Sequence, residues 1–274
     1  MRTGGGSRRP ANPLRPPPGA TVPAQPGEII AKSAFRSANS VPRQLLQSIL
    51  ARSLNAVPAI AEPFRQVGVL ADYAQWKRAR LAGGGRPLFS HREKLWQAMQ
   101  PRLAERGALT ALEFGVAWGY ASAWWLDRLP DPGLEWHGFD TFTGLPRSWD
   151  RAGLTIYEAG SFSAHGDTPP IADARVHWHV GDVGERIHDV DWQAARARPM
   201  FLLFDFDLYE PTRVALDAAM PFLAPGDVLY FDEAFDAWNE RKAIDEILLP
   251  RFRVRCLGST ATALALEIVR RADD

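Results

Sequence analysis

Met200-Phe201-Leu202-Leu203-Phe204-Asp205-Phe206-Asp207-Leu208-Tyr209 is an unbroken apolar run that stops abruptly at two acids. A second run, Val228-Leu229-Tyr230-Phe231, stops in the same way at Asp232-Glu233. Four or five consecutive apolar residues rich in aromatics, followed by turn residues, read as strands buried on both faces of a parallel sheet. The acids then sit where a strand meets its loop, which is where open α/β sheets keep their ligands. Strand alternation predicts that Asp205 and Asp207 share one face, with Phe206 on the other. If the two strands are neighbours, about 5 Å apart, Asp205, Asp232 and Glu233 converge. Carboxylates so crowded need a cation or raised pKa values, and Mg²⁺, which takes oxygen ligands, is an economical answer.

Working outward, apolar strand-like runs alternate with helical patterns from Leu109 onward, the signature of a doubly wound, mostly parallel α/β sheet. The strands predicted are Ala111–Phe114, Leu134–Phe139, Arg175–Val180, Met200–Phe204 and Val228–Phe231. The last two, Phe252–Leu257 and Ala263–Val269, form an antiparallel hairpin and bring the sheet to seven strands. Helices are expected over Tyr120–Leu129, around Trp192 and over Thr212–Phe222. The organisation expected is a Gly/Pro-rich basic tail over 1–41, a helical cap or lid over 42–108 and the catalytic domain over 109–274. Within the cap, helical spacing is broken at Pro58 and Pro63, Gly83-Gly84-Gly85 reads as a flexible joint, and Ser90 reads as an N-cap with Glu93 three residues on. The polar interval from Pro146 to Pro170 is too long for a plain connection and reads as an active-site flap.

Composition excludes several classes of function. The chain has 274 residues, 46% hydrophobic, with 32 basic and 32 acidic side chains and a net charge of zero. That balance gives no reason to expect nucleic acid or an anionic membrane as partner. The single cysteine, Cys256, cannot form an internal disulfide and lies in an apolar strand-like run, which fits a buried inert thiol and a reducing compartment. No apolar stretch reaches the ~20 residues of a membrane helix, and the basic N-terminus lacks a signal h-region. A cytoplasmic protein, with a homo-oligomeric state left open, is the expectation.

Leu112-Glu113-Phe114-Gly115-Val116-Ala117-Trp118-Gly119-Tyr120-Ala121-Ser122 joins the first strand to a helix. Its spacing, E-x-G-x-x-x-G, differs from the G-x-G-x-x-G that seats a dinucleotide pyrophosphate. It suits S-adenosylmethionine, which has no phosphate to cradle, while glycine at such a turn is also often purely structural. Asp140, ending the second strand, stands where an acid binds ribose hydroxyls in nucleoside-binding folds. Gly181-Asp182-Val183 ends the third, with Asp182 a partner for an adenine amino group. For each acid, helix capping is the plain alternative. The cofactor-binding set is therefore Glu113, Gly115, Gly119, Ser122, Asp140, Asp182 and Val183. The paired histidines His177 and His179 read as strand surface, and Trp118, Trp124 and Trp125 as packing. Trp238 is a candidate wall of an acceptor site, and the charges of Asn239-Glu240-Arg241-Lys242 read as a solvated helix face.

Taken with Gly138-Phe139-Asp140-Thr141-Phe142-Thr143-Gly144-Leu145-Pro146 and Asp205-Phe206-Asp207-Leu208-Tyr209-Glu210-Pro211-Thr212, these segments make the sequence resemble the macrocin O-methyltransferase-type family, over roughly Leu109 to Val269. The family comprises class I enzymes, with a Rossmann-like sheet, that methylate sugar hydroxyls in antibiotic biosynthesis. The resemblance implies S-adenosylmethionine as donor, Mg²⁺ held by Asp205, Asp232 and Glu233, Asp207 as general base, and a glycosylated small molecule as acceptor. It is imperfect at Glu233, where the family usually shows aspartate. In this reading the metal orients vicinal hydroxyls and Asp207, or as a second choice His165 in the flap, removes the proton. Two other readings stay open: a metal-dependent nucleotide-sugar glycosyltransferase using Asp205-Phe206-Asp207 as its D-x-D, and a non-catalytic cofactor-binding protein.

Overall fold

The computed structural model describes residue 49 and residues 58–151 and 154–274. The tail expected over 1–41 lies outside the described residues, as does nearly all of 42–57. The chain divides into two units, Met1–Pro63 and Phe64–Asp274, and the second holds the whole sheet. Seven strands, β1 (Thr110–Phe114), β2 (Glu135–Asp140), β5 (Val176–Val180), β6 (Met200–Phe204), β7 (Val228–Phe231), β8 (Phe252–Ser259) and β9 (Leu264–Arg271), stand in the order β5-β2-β1-β6-β7-β9-β8. The first five in this order are parallel; β9 runs antiparallel to β7 and β8 antiparallel to β9. A separate two-stranded ribbon, β3 (Trp149–Arg151) with β4 (Leu154–Tyr157), occupies the interval read as a flap. The doubly wound α/β sheet with its C-terminal hairpin is as the sequence reads.

Alternation along the buried strands feeds two cores. Leu112, Phe114, Leu202, Phe204, Leu229 and Phe231 pack on one face, and Ala111, Trp136, Phe201, Leu203, Val228 and Tyr230 on the other. One register row is built of rings: His179, Phe139, Phe114, Phe204 and Phe231 are partners on β5, β2, β1, β6 and β7. Their centroids are spaced 4.3, 5.2, 5.0 and 4.7 Å apart along the row. The ladder continues one residue further, with the N–H of Gly115 donating to Phe139 O, that of Asp205 to Phe114 O and that of Asp232 to Phe204 O. Asp140, Gly115, Asp205 and Asp232 therefore form the next row, at the carboxyl edge of the sheet.

Several helical expectations change. The helix Pro58–Arg80 begins at Pro58 and runs through Pro63; proline in a first turn, as at Pro58, lacks only an N–H that has no intrahelical acceptor, whereas Pro63 forgoes one helix hydrogen bond without ending the helix. Its last turns are tied to the sheet through Tyr73 Oη, which donates to Ala263 O, and Lys77 Nζ, which donates to Ser259 Oγ. The glycine triplet is no loose joint: Gly85 is buried and its carbonyl accepts from Ser259 Oγ. The next helix is Arg92–Ala104, capped by the backbone of His91, while Ser90 Oγ bonds the His91 ring instead of a helix N–H.

Phe204 has ring neighbours on both sides in the row and is fully buried. Phe204→Ala is expected to cost about 3–5 kcal/mol, read as a lower urea midpoint with an unchanged slope; a loss under 1 kcal/mol would show that the row is not a structural element.

Candidate active site

A cavity of about 490 Å³ opens at the carboxyl edge, bounded by the β1 turn, the ends of β2, β6 and β7, and the β3–β4 ribbon. Of the residues singled out from sequence, Glu113, Gly115, Asp140, Asp182, Val183, Asp205, Asp207, Asp232 and Glu233 all line it. Gly119 and Ser122 do not. Gly119 caps the helix Tyr120–Arg128 with φ 77°, and a Cβ there would stand 2.6 Å from Pro169. Ser122 is fully buried and spends its hydroxyl on Glu113 Oε2. Both shape the loop from behind.

Gly115 is required by the sheet itself. Its φ is 91°, and a Cβ would lie 2.0 Å from the carbonyl oxygen of Asp205 on the neighbouring strand, so no other residue fits without moving β6. Asp140 braces the same turn: Oδ2 accepts from the N–H groups of Val116 and Ala117, each at 2.8 Å, and Oδ1 from Phe142 at 2.7 Å. Its first role is to hold the loop, with lone pairs left over for a hydroxyl. Asp182 is an N-cap, accepting from Gly184 N at 2.7 Å, while it also faces the cavity.

Glu113 lies beneath the turn, 1% exposed. Its Oε2 accepts from Ser122 Oγ and, at 2.9 Å, from Trp136 Nε1, and Oε1 has no hydrogen-bond partner. Burial drives its pKa up to about 8, against the bonds from Ser122 and Trp136. This orphaned oxygen on the wall of a glycine-turn cavity is the feature that fits a bound cofactor bearing a polar or cationic group.

The acidic end of the cavity holds Asp205, Asp207, Asp232 and Glu233. The strand parity expected for Asp205 and Asp207 does not extend that far: β6 ends at Phe204, and Asp207 takes a left-handed φ of 63°. Burial, with Asp232 and Asp207 adding repulsion, holds the Asp205 carboxyl well above the usual range. Sequence reading missed two features here, a buried Glu240-Arg241 pair and Arg92. Glu240, expected on a solvated face, is fully buried, accepts from the N–H of Glu233 at 3.0 Å and is pushed up by burial and by Asp207. Arg241, also buried, pairs with Asp72. No sequence signal distinguishes this E-R pair from an ordinary exposed one. The second miss is Arg92, whose Nη1 donates to Asp232 Oδ2 at 3.0 Å and lies 3.8 Å from Asp205 Oδ2.

These contacts bear on the magnesium expectation. Asp232 has both oxygens engaged, Oδ2 by Arg92 and Oδ1 by the hydroxyl of Tyr230. Among the described residues no group of three or more His, Cys, Asp or Glu side chains is arranged to hold a metal ion. As placed, Asp205, Asp232 and Glu233 do not fit a divalent cation, because a guanidinium already bridges two of them.

The interval 146–170 contains the β3–β4 ribbon. Trp149 Nε1 donates to Asp236 Oδ2 at 2.8 Å, and Asn239 Nδ2 donates to the same oxygen at 3.0 Å, pinning the ribbon to the loop after β7. Trp149, Tyr157, Phe162 and Trp118 follow one another at 5.6, 4.7 and 6.4 Å. Trp118, expected in packing, is 63% exposed on the cavity wall, whereas Trp125 is in the core. Trp238 is also exposed yet does not line the cavity, and neither does His165. His177 and His179 stack with His137 across the edge strand β5 and its neighbour β2, with His177 exposed and His179 at the end of the ring row.

Residues 112–234 match the profile of a family described as a methyltransferase domain. The comparison with curated proteins returns no match. Among similar solved structures, the calicheamicin methyltransferase CalS11 is 23% identical, with 90% of this chain and 94% of that chain covered and a TM-score of 0.49. The O-methyltransferase NovP is 16% identical, with 65% and 79% covered and a TM-score of 0.46. An O-methyltransferase from Bacillus cereus in complex with SAH is 15% identical, with 74% and 91% covered and a TM-score of 0.42. The matched segment carries Gly115, Asp140, Asp205 and Asp232, so the row at the carboxyl edge, which borders the cavity, lies within the part of the chain that matches a methyltransferase domain.

Glu113 gives this site a pH signature. Its carboxyl ionises at its ordinary 4.5 when unfolded and at about 8 when folded. The folded state thus binds the proton more tightly, and stability is full below pH 4.5 and declines as pH rises toward 8. Glu113→Gln is expected to flatten the fall in urea-unfolding free energy between pH 5 and 8; parallel pH slopes in the two proteins would refute the assignment.

Proposed function

We propose that the protein is an S-adenosylmethionine-dependent O-methyltransferase acting on a hydroxyl of a sugar-bearing or polyol small molecule. The observation that carries this is the single cavity joining the Gly115 turn to the carboxylates Asp205, Asp207 and Asp232. A donor site and an acid–base group thus share one enclosed volume. The motif resemblance to macrocin-type enzymes supports the sugar acceptor, and so does charge. Among the described residues, seven carboxylates and one guanidinium face the cavity, a lining suited to hydroxyls and hostile to the phosphates of nucleic acid. Among the described residues no helix is long and apolar enough to cross a membrane.

The donor would be held by the Val116–Ala117 turn, with Glu113 beneath and Asp140, Asp182 and Val183 beside it. When bound, it supplies a methyl group on a sulfonium, already electrophilic. The chain must then orient the acceptor oxygen and take its proton. Asp207, 8% exposed on the cavity wall, is the base we assign, in preference to His165, which lies off the cavity. Its left-handed backbone turns it away from strand alternation, and buried Glu240 secures the loop opposite. The exposed faces of Trp118 and Tyr157 offer apolar walls for the flat side of a sugar or aglycone, and the pinned ribbon helps exclude water. Magnesium dependence is the part of the sequence reading that this geometry does not support.

Purified protein incubated with methyl-labelled S-adenosylmethionine and a panel of glycosylated metabolites is expected to transfer label to a hydroxyl. Binding of UDP-sugars with no affinity for S-adenosylmethionine would instead favour a glycosyltransferase. Asp207→Asn is expected to lower kcat by about 10²–10⁴ with the donor Kd changed less than threefold; unchanged kcat would remove Asp207 as the base.

A further inference from the structure

Arg92 opens the helix Arg92–Ala104, outside the segment that matches the methyltransferase profile. Its guanidinium is nonetheless, among the described residues, the one cation on the wall of the cavity. The placement is built from several sides. Nη1 hydrogen-bonds Asp232 Oδ2 at 3.0 Å and stands 3.8 Å from Asp205 Oδ2, so one nitrogen spans the carboxylates of two adjacent strand ends. The guanidinium carbon lies 5.4 Å from the ring of Trp96 and 5.3 Å from that of Tyr120. Trp96 is buried, and Tyr120 donates through its hydroxyl to Glu93, the residue after Arg92, at 3.1 Å. The arginine is thus held between two aromatic faces and two acids, an arrangement in which a guanidinium is favoured over a hydrated ion.

We infer that Arg92 is the resident cation of this site and holds the place between Asp205 and Asp232 that a divalent metal would need. The exclusion has two physical parts. A metal ligated by both acids would stand within a few ångströms of a fixed positive charge, and like charges repel strongly where water is scarce. It would also have to displace the Arg92 and Tyr230 hydrogen bonds that already occupy both oxygens of Asp232. What the guanidinium offers in exchange differs from what a metal offers. It neutralises the crowded acids and retains further N–H donors in a planar fork. Those donors can fix the direction of an acceptor hydroxyl without acidifying it as a Lewis acid does, which leaves deprotonation to Asp207. The consequence for catalysis rests on the methyltransferase reading; the competition between Arg92 and a metal does not.

The competition is measurable without turnover. Mn²⁺ is titrated into the full chain, free of donor and acceptor, and the free ion is followed by its EPR signal. The wild type and Arg92→Lys, which keeps the charge, are expected to bind weakly. Arg92→Gln is expected to bind at least tenfold more tightly, and adding Asp232→Asn to it is expected to abolish the gain. Thermal melts of each variant confirm that it is folded, with Arg92→Lys serving as the structural control. Tight binding by the wild type, no tightening in Arg92→Gln, or tightening that survives Asp232→Asn each overturns the proposal. Failure of methyl transfer with the Mn²⁺ pattern intact would instead count against the functional reading alone.

Discussion

The site depends on a register. Parallel strands β2, β1, β6 and β7 are locked so that Phe139, Phe114, Phe204 and Phe231 fall side by side, and the rings pack within 4.7–5.2 Å of one another. A slip of one residue on any strand would drop a ring from the row and turn that strand's side chains to the wrong core. Because the row sits at the last position of β1, β6 and β7 and one before the last of β2, the following residues are placed with equal certainty. Asp140, Gly115, Asp205 and Asp232 are delivered in line at the sheet edge by packing one residue below them.

That placement forces an electrostatic problem. Asp205 and Asp232 are adjacent, Asp207 and Glu240 lie close behind, and burial penalises the charge on Asp205 and Glu240. The structure answers in three ways. Some carboxyls are held toward the neutral form, as Asp205, Glu240 and Glu113 are. Backbone N–H groups satisfy others, as in the three bonds to Asp140. One guanidinium, from a helix remote in sequence, hydrogen-bonds Asp232 and stands beside Asp205. A carboxylate cluster with an arginine at its centre is chemically different from the same cluster open to a metal, though the acids alone look identical in sequence.

The glycine turn shows how one feature can serve two ends. Gly115 reads from sequence as a place where backbone approaches a ligand, and it does line the cavity. Its strict need, however, comes from the carbonyl of Asp205, 2.0 Å from where a Cβ would be. Gly119 and Ser122 likewise support the loop from outside the cavity. The residues of this glycine turn are fixed as much by the sheet behind them as by the cavity in front.

The sheet was legible because its evidence is local. Buried strands announce themselves as short apolar runs, and each of four of them ends in phenylalanine followed by aspartate or glycine, so the strands, their ends and most of the cavity acids could be read directly. The glycine triplet reads as a loose joint because its tie to Ser259 is remote in sequence, Ser90 departs from the capping pattern because its hydroxyl bonds the His91 ring, and Pro58 opens a helix where local spacing suggests a break. Glu240 looked like a surface charge because no local signal marks its burial. Sequence by itself determined the α/β sheet and the row of acids at its edge, since hydrophobic periodicity and turn chemistry act over a few residues. Only the tertiary structure decided which charge meets those acids, because Arg92 reaches Asp205 and Asp232 across more than a hundred residues of chain, and such a pairing leaves no periodic trace.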